Sequence, residues 1–205
     1  YGKRLNSSAR NWTAVVDGKS KPVAWFVSNC NSKSKRMEYV KRMSKVIPVD
    51  IWGGCGDNKC GYDEREKCMS IVNETYKFYL GFENSFCEDY IAEKLFRYAM
   101  YDVVVVVRGG GNYGQVAPPN SYINAADFKS PEDLGQYLKY LDQNKTEYIK
   151  YLQWKNDYYA EEFTLEQTLW CDICRDLNNA SAHQQVMDPY DLWFSGNACW
   201  EPTDL

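Results

Sequence analysis

The run DVVVVVRGG at residues 102–110 constrains this chain more than any other stretch. A strand wetted on one face alternates apolar and polar residues, whereas this one is unbroken in apolarity. It is therefore expected to be covered on both faces, as the inner strands of a parallel sheet are. Its apolar part, Val103–Val107, is far short of the roughly 20 residues a membrane helix needs.

The rest of the chain supplies layers to cover it. KPVAWFVSN (21–29) is an apolar run ending in a turn signal, and YKFYLGFEN (76–84) is another; IPVDIWGGCG (47–56) is a short strand running into glycine. Between them SKRMEYVKRMSKV (34–46) places Met37, Val40 and Met43 at helical intervals, with Ser34 available as an N-cap. A second helix is expected over 89–100. A third starts at SPEDLGQYL, where Ser130 caps, Pro131 takes the first helical position, and Leu134, Leu138 and Leu141 form a stripe. Residues 1–20 read as a connector and 57–75 as an irregular, cysteine-bearing segment. Strands alternating with helices give an α/β fold, a Rossmann-like and mostly parallel sheet with helices on both faces.

In such sheets ligands sit beyond the carboxyl ends of the strands, where helix N-termini point. Two segments lie there: SNCNSKSKR after the first strand and FENSFCEDYIAEK after the third. On the helix expected over 89–100, Tyr90, Glu93, Lys94 and Arg97 form a polar stripe beside an apolar one of Ile91, Leu95 and Tyr98. The stripe is either an ordinary solvated face or a grip on a ligand, and its start in the first turn brings the two readings level.

Several chemistries fall away. Gly109, Gly111 and Gly114 fit G-x-G-x-x-G, but that fingerprint needs a helix to start there, and Pro118-Pro119 interrupt one within a turn. His183 is the only histidine and sits in the polar run NNASAHQQ, which removes His-based nucleophilic or general-base mechanisms. No Asp-x-Asp pair occurs to hold a divalent ion on a nucleotide-sugar diphosphate. A formal net charge of −4 argues against a general nucleic-acid binder. Eight cysteines together with the sequon asparagines 6, 11, 73, 144 and 179 point to an oxidising, secretory lumen. Disulfides are expected over a zinc site built from Cys55, Cys60, Cys68 and Cys87. Cys30–Cys87 and Cys60–Cys68 are the candidate pairs, with Cys171 and Cys174 free or closed into a small ring.

The blocks VAWFVSNC, KRMEYV, VDIWGGCG, YKFYLGFENSFCEDYIAEKLF, APPNSYI and WCDIC run in the order seen in the α-1,3-fucosyltransferases. The chain resembles that family over residues 21–205, with FEN-x(5)-Y-x-x-EK as the most specific motif, and DLWFSGNACW is similar to invertebrate members. The resemblance implies the C-terminal half of a GT-B glycosyltransferase, the half that binds GDP-fucose. It divides the chain into a linker (1–20) from an upstream acceptor domain, a GDP-fucose-binding domain (21–160) and a cysteine-containing tail packed on it (161–205).

By resemblance Arg36 and Lys94 clamp the diphosphate, Tyr90 contacts phosphate or fucose, and Glu93 accepts from sugar hydroxyls and favours an oxocarbenium-like transition state. Ser28, Asn29 and Asn84 complete the pocket. The catalytic set is thus Glu93, Lys94 and Arg36, with the acceptor's base in the upstream domain. No cofactor is required, and Mn2+ or Mg2+ is at most a stimulant. The implied product is fucose in α-1,3 linkage to a GlcNAc hydroxyl of a glycoprotein N-glycan, formed with inversion. The implied parent is a Golgi type II membrane protein with its catalytic part in the lumen, and this piece of it is soluble. The rival reading is a GDP-sugar-binding or lectin-like module without turnover. The sequence departs from its relatives in the strand YDVVVVVRGG, where VPVVLG is common. Arg108 there is either a third positive charge near the diphosphate or a surface arginine.

Overall fold

The computed structural model describes residues 1–4, 9–161, 169–179 and 198–205. Five parallel strands form the central sheet: β1 Lys21–Phe26, β2 Val49–Trp52, β3 Tyr76–Phe82, β4 Val104–Arg108 and β5 Tyr122–Asn124, in spatial order β2-β1-β3-β4-β5. The valine run is covered on both faces, as its composition requires. Val104 and Val106 pack with Trp25, Phe78, Leu80 and Phe82 on one side. Val103, Val105 and Val107 pack with Ala24, Tyr79, Leu95 and Tyr98 on the other.

The helices are α1 Trp12–Asp17, α2 Arg36–Met43, α3 Arg65–Thr75, α4 Glu93–Ala99, α5 Pro131–Gln143, α6 Lys145–Lys150 and α7 Leu169–Leu177. Helices α1, α2, α5 and α6 cover the first face through Trp12, Val16, Tyr39, Met43, Leu134, Leu138 and Tyr148. Helices α3 and α4 cover the second through Cys68, Met69, Val72, Leu95 and Tyr98. Gly135 lets α5 approach α2's end, for a Cβ there would stand 3.0 Å from Val46 Cβ and 3.3 Å from the Met43 carbonyl.

Four elements depart from the sequence reading. The connector contains α1, because Trp12 and Val16 fall one turn apart and bury themselves in the core. Residues 65–75, read as irregular, are helical: Cys68, Met69 and Val72 share a face that the surrounding charges obscure. Ser34 is not the cap of α2. Lys35 takes that place with φ 51°, and the Ser34 hydroxyl donates instead to the Glu83 carbonyl at 2.7 Å. Helix α4 starts at Glu93, four residues late, since Asp89 adopts φ 56° and Cys87 is tied into a ladder with Cys199.

The disulfides are Cys30–Cys55, Cys60–Cys68 and Cys87–Cys199. The local pair is as expected; Cys30–Cys87 is not formed. The sheet order explains this: β1 lies between β2 and β3, so Cys30 had two neighbouring loops to choose from. It faces the glycine loop after β2, with Cα–Cα 5.5 Å to Cys55. Cys171 and Cys174 are free and exposed on α7. Among the described residues no helix is long and apolar enough to cross a membrane. His183 lies outside the described residues, as do residues 191–197 of the DLWFSGNACW motif.

Candidate active site

The chain runs from β1 to β2 on one side and then returns across β1 to β3 on the other. Loops after β1 and β3 therefore leave in opposite directions and open a crevice between them, where a ligand fits in this fold. Every residue expected in the pocket lies on those two connections or on the first turn of the helix that follows.

Arg36 opens α2 with 4% of its surface exposed. Its Nη1 donates to the Phe82 carbonyl at 2.8 Å and Nη2 to the Asn29 carbonyl at 3.2 Å, which ties the end of β3 to the loop after β1. Burial lowers the guanidinium's pKa, and Glu83, Tyr79, Tyr90 and Glu93 oppose that shift. Lys94, in the first turn of α4, donates to Glu83 Oε2 at 2.7 Å and has Glu93 Oε1 at 3.8 Å. The two cations thus converge on consecutive residues, Phe82 and Glu83, at the carboxyl end of β3.

Glu83, which follows β3 within the run YKFYLGFEN, is the hub of this arrangement. It is 1% exposed. Its Oε1 accepts from the Ala92 amide at 2.9 Å, so Glu83 satisfies a helix-entry donor for which Ala92 offers no side chain. Tyr113 stands close by: a Cβ added to Gly109 would lie 2.5 Å from its hydroxyl and 2.9 Å from Glu83 Cγ. Burial, then the Glu83 charge, raises the Tyr113 pKa. The signal for Glu83 was available in its position, since an acid closing an otherwise apolar inner strand must find a partner.

The remaining expected residues are placed as follows. Asn84 lies at the crevice mouth; its carbonyl accepts from the Ser34 amide at 3.0 Å. Ser28 and Asn29 are exposed on the β1 loop, and Ser28 Oγ accepts from the Gly54 amide at 3.3 Å. Tyr90 lies in the loop before α4 rather than on the helix, so the four-residue stripe does not exist as such. Glu93 is exposed. Two polar atoms of this set, Arg36 Nε and Asn84 Oδ1, are buried without a partner among the described residues. Arg108 is not a surface residue. It is 1% exposed and forms a bidentate pair with Asp204 at 2.6 and 2.7 Å.

A cavity of about 240 Å³ adjoins the crevice, lined by Phe26, Val27, Ser28, Gly53, Met69 and Tyr98. A larger one of about 520 Å³ lies beside edge strand β5, among Tyr122, Asp127, Phe128, Tyr137 and Tyr151. It contains none of the cationic or buried polar groups described above. The cationic and buried polar groups thus gather at the β1/β3 crevice and not at the larger cavity. Among the described residues there is no group of three or more His, Cys, Asp or Glu side chains arranged to hold a metal ion.

Residues 16–193 match the family profile described as "Glycosyltransferase family 10 (fucosyltransferase) C-term". The chain belongs to that family. It is 39% identical to the alpha-(1,3)-fucosyltransferase fut-1 of Caenorhabditis elegans, over 99% of this chain and 48% of that protein. It is 40% identical to the glycoprotein 3-alpha-L-fucosyltransferase A of Drosophila melanogaster, over 89% of this chain and 35% of the relative. The family 10 chain thus spans about half the length, or less, of these relatives. In fold it resembles a crystallised alpha1,3-fucosyltransferase with GDP-fucose, with a TM-score of 0.58 at 24% identity, over 82% of this chain and 50% of the other. A parallel sheet with helices on both faces, matching half of such a chain, is one half of a GT-B architecture.

Proposed function

We propose that the whole protein transfers L-fucose from GDP-fucose to a GlcNAc hydroxyl of a glycoprotein N-glycan, in α-1,3 linkage and with inversion, and that this chain is its donor-binding half. The observation that carries the reading is the convergence of Arg36 and Lys94 on the carboxyl end of β3, at the crevice where this fold takes nucleotides. When the bond from the fucose anomeric carbon to the β-phosphate oxygen breaks, negative charge gathers on the departing GDP. Lys94 supplies a point charge there and Arg36 a guanidinium already fixed by two carbonyls. Asn84 and Arg36 bring buried polar atoms with hydrogen-bonding capacity to offer.

Tyr90 contacts phosphate or fucose in this reading, Glu93 accepts from sugar hydroxyls, and Ser28 and Asn29 border the pocket. The base that takes the acceptor's proton comes from the upstream half. Mn2+ or Mg2+ enters only as a stimulant. Three disulfides and the sequons suit a Golgi lumen, with residues 1–20 joining the donor domain to an upstream acceptor domain; most of the tail assigned to 161–205 lies outside the described residues.

The test is two-step. GDP at about 100 times its Kd raises the stability of the protein by about 2.7 kcal/mol, read as a higher thermal midpoint. The whole protein then transfers fucose to a GlcNAc-terminated acceptor. Absence of the thermal shift removes the donor site; a shift without transfer leaves a binding module.

A further inference from the structure

Arg108 is the residue at which this chain breaks the apolar pattern of its central strand, and the structure gives it an elaborate setting. Its guanidinium lies between the rings of Tyr39 and Phe86, 4.4 and 4.7 Å from their centroids. Nε and Nη2 engage both oxygens of Asp204, and Nη1 donates to the Ser34 carbonyl at 2.7 Å. Ser34, itself fully buried, gives its hydroxyl to the Glu83 carbonyl and its amide to the Asn84 carbonyl. Asp204 therefore reaches the loop of Glu83 and Asn84 through two intermediaries, each with a named hydrogen bond.

The segment that carries Asp204 is fastened to the same loops. Cys199 is disulfide-bonded to Cys87, and Phe86–Cys87 pair antiparallel with Cys199–Trp200. The Glu88 amide donates to the Ala198 carbonyl at 2.7 Å. Glu201 meets Lys35 at 3.0 Å on the other side of the crevice. Residues 198–205 thus bridge the loops after β1 and β3, and Arg108 is the bolt beneath them.

We infer that Arg108 and Asp204 are positioning residues for the nucleoside diphosphate site: they set the spacing of the two loops through Ser34. The inference rests on the donor-site reading above. A buried guanidinium stripped of its counter-charge must find water or move, and either releases the Ser34 carbonyl. The loop that presents Asn84 and Glu83, and through Glu83 the Lys94 ammonium, then loses its register with Arg36. Neither Arg108 nor Asp204 touches the reacting atoms; their loss acts through the displaced Arg36 and Lys94, on donor affinity and on turnover together.

The experiment uses the whole protein, with GDP and GDP-fucose as probes. Arg108→Met together with Asp204→Leu replaces the pair with apolar side chains and leaves no uncompensated charge, so the fold has no buried ion to accommodate. Near-ultraviolet circular dichroism reports that fold. The relay predicts that the folded double variant binds GDP about tenfold more weakly and has a kcat/KM for GDP-fucose lowered at least as much. A folded double variant with wild-type GDP affinity and kcat/KM overturns it, because the pair then serves stability alone. Should the double variant not fold, Asp204→Asn decides: it keeps the shape and removes the counter-charge, and unchanged GDP affinity there overturns the relay equally. A wild-type protein that does not bind GDP is a separate result, and it overturns the donor site on which the relay rests.

Discussion

Lys94 meets a carboxylate before it meets any ligand. Glu83 is buried and has one oxygen on the Lys94 ammonium and the other on the Ala92 amide, so removing Lys94 has two effects that must be told apart. One is a buried carboxylate left without its cation, which costs about 3 kcal/mol or more of stability. The other, under the proposed clamp, is a leaving group without the Lys94 charge, which costs about 100-fold in turnover if the contact strengthens as GDP departs. Lys94→Ala is expected to show both. Adding Glu83→Gln neutralises the stranded acid, and the double variant is expected to regain most of the lost thermal stability while its kcat stays low. If kcat recovers together with stability, Lys94 is a structural cation and the clamp is wrongly assigned. None of this coupling was legible in the sequence beyond the FEN-x(5)-Y-x-x-EK motif, because the two partners are eleven residues apart on different elements.

At the level of elements, legibility followed burial. Strand β4 was readable because two apolar faces leave an unmistakable run, and α5 because its cap, proline and leucine stripe agree with one another. Ser130 Oγ accepts from the Asp133 amide at 3.1 Å, Pro131 opens the helix, and Leu134, Leu138 and Leu141 are buried. Ser130→Ala should therefore destabilise the protein by about 1 kcal/mol in urea unfolding without changing GDP affinity, since none of the crevice residues named above lies on α5. A loss below a few tenths of a kcal/mol would mean that Pro131 and packing alone fix this helix end. Helix α3 was hidden because its buried face is narrow and one of its residues, Cys68, reads as a bridge before it reads as core. Helix α4 was misplaced by four residues because the turn at Asp89 depends on a ladder with residues 198–200, more than a hundred positions away. Local pattern cannot register a constraint that arrives from so far along the chain.

At the scale of the molecule, two lysines have been taken out of water, and they give its stability an unusual dependence on pH. Lys155 is 5% exposed, donates to the Ala99 and Tyr101 carbonyls at 2.6 Å each, and lies 4.0 Å from Asp102. Burial pushes it down to about 8, with Asp102 pulling the other way. Lys19, bonded to the Asn73 and Tyr76 carbonyls, is likewise pushed down by burial to about 8. In the unfolded chain a lysine holds its proton to about pH 10.4. Below pH 8 both states are protonated and the folded state bears the full cost of a buried charge. Between about 8 and 10.4 the unfolded state binds more protons than the folded one, so stability rises with pH, by at most about 1.4 kcal/mol per unit for each lysine. Above about pH 10 the sign reverses, because burial raises Tyr39, Tyr79, Tyr113 and Tyr148, which keep protons that the unfolded chain releases. Lys155→Met removes one of the two rising contributions and leaves Lys19 and the tyrosines in place. The stability of wild type relative to this variant, measured by urea unfolding at several pH values, should therefore rise from pH 8 to 10. A difference that stays constant over that interval would mean that Lys155 remains charged throughout, held by Asp102 and its two carbonyls against the loss of water.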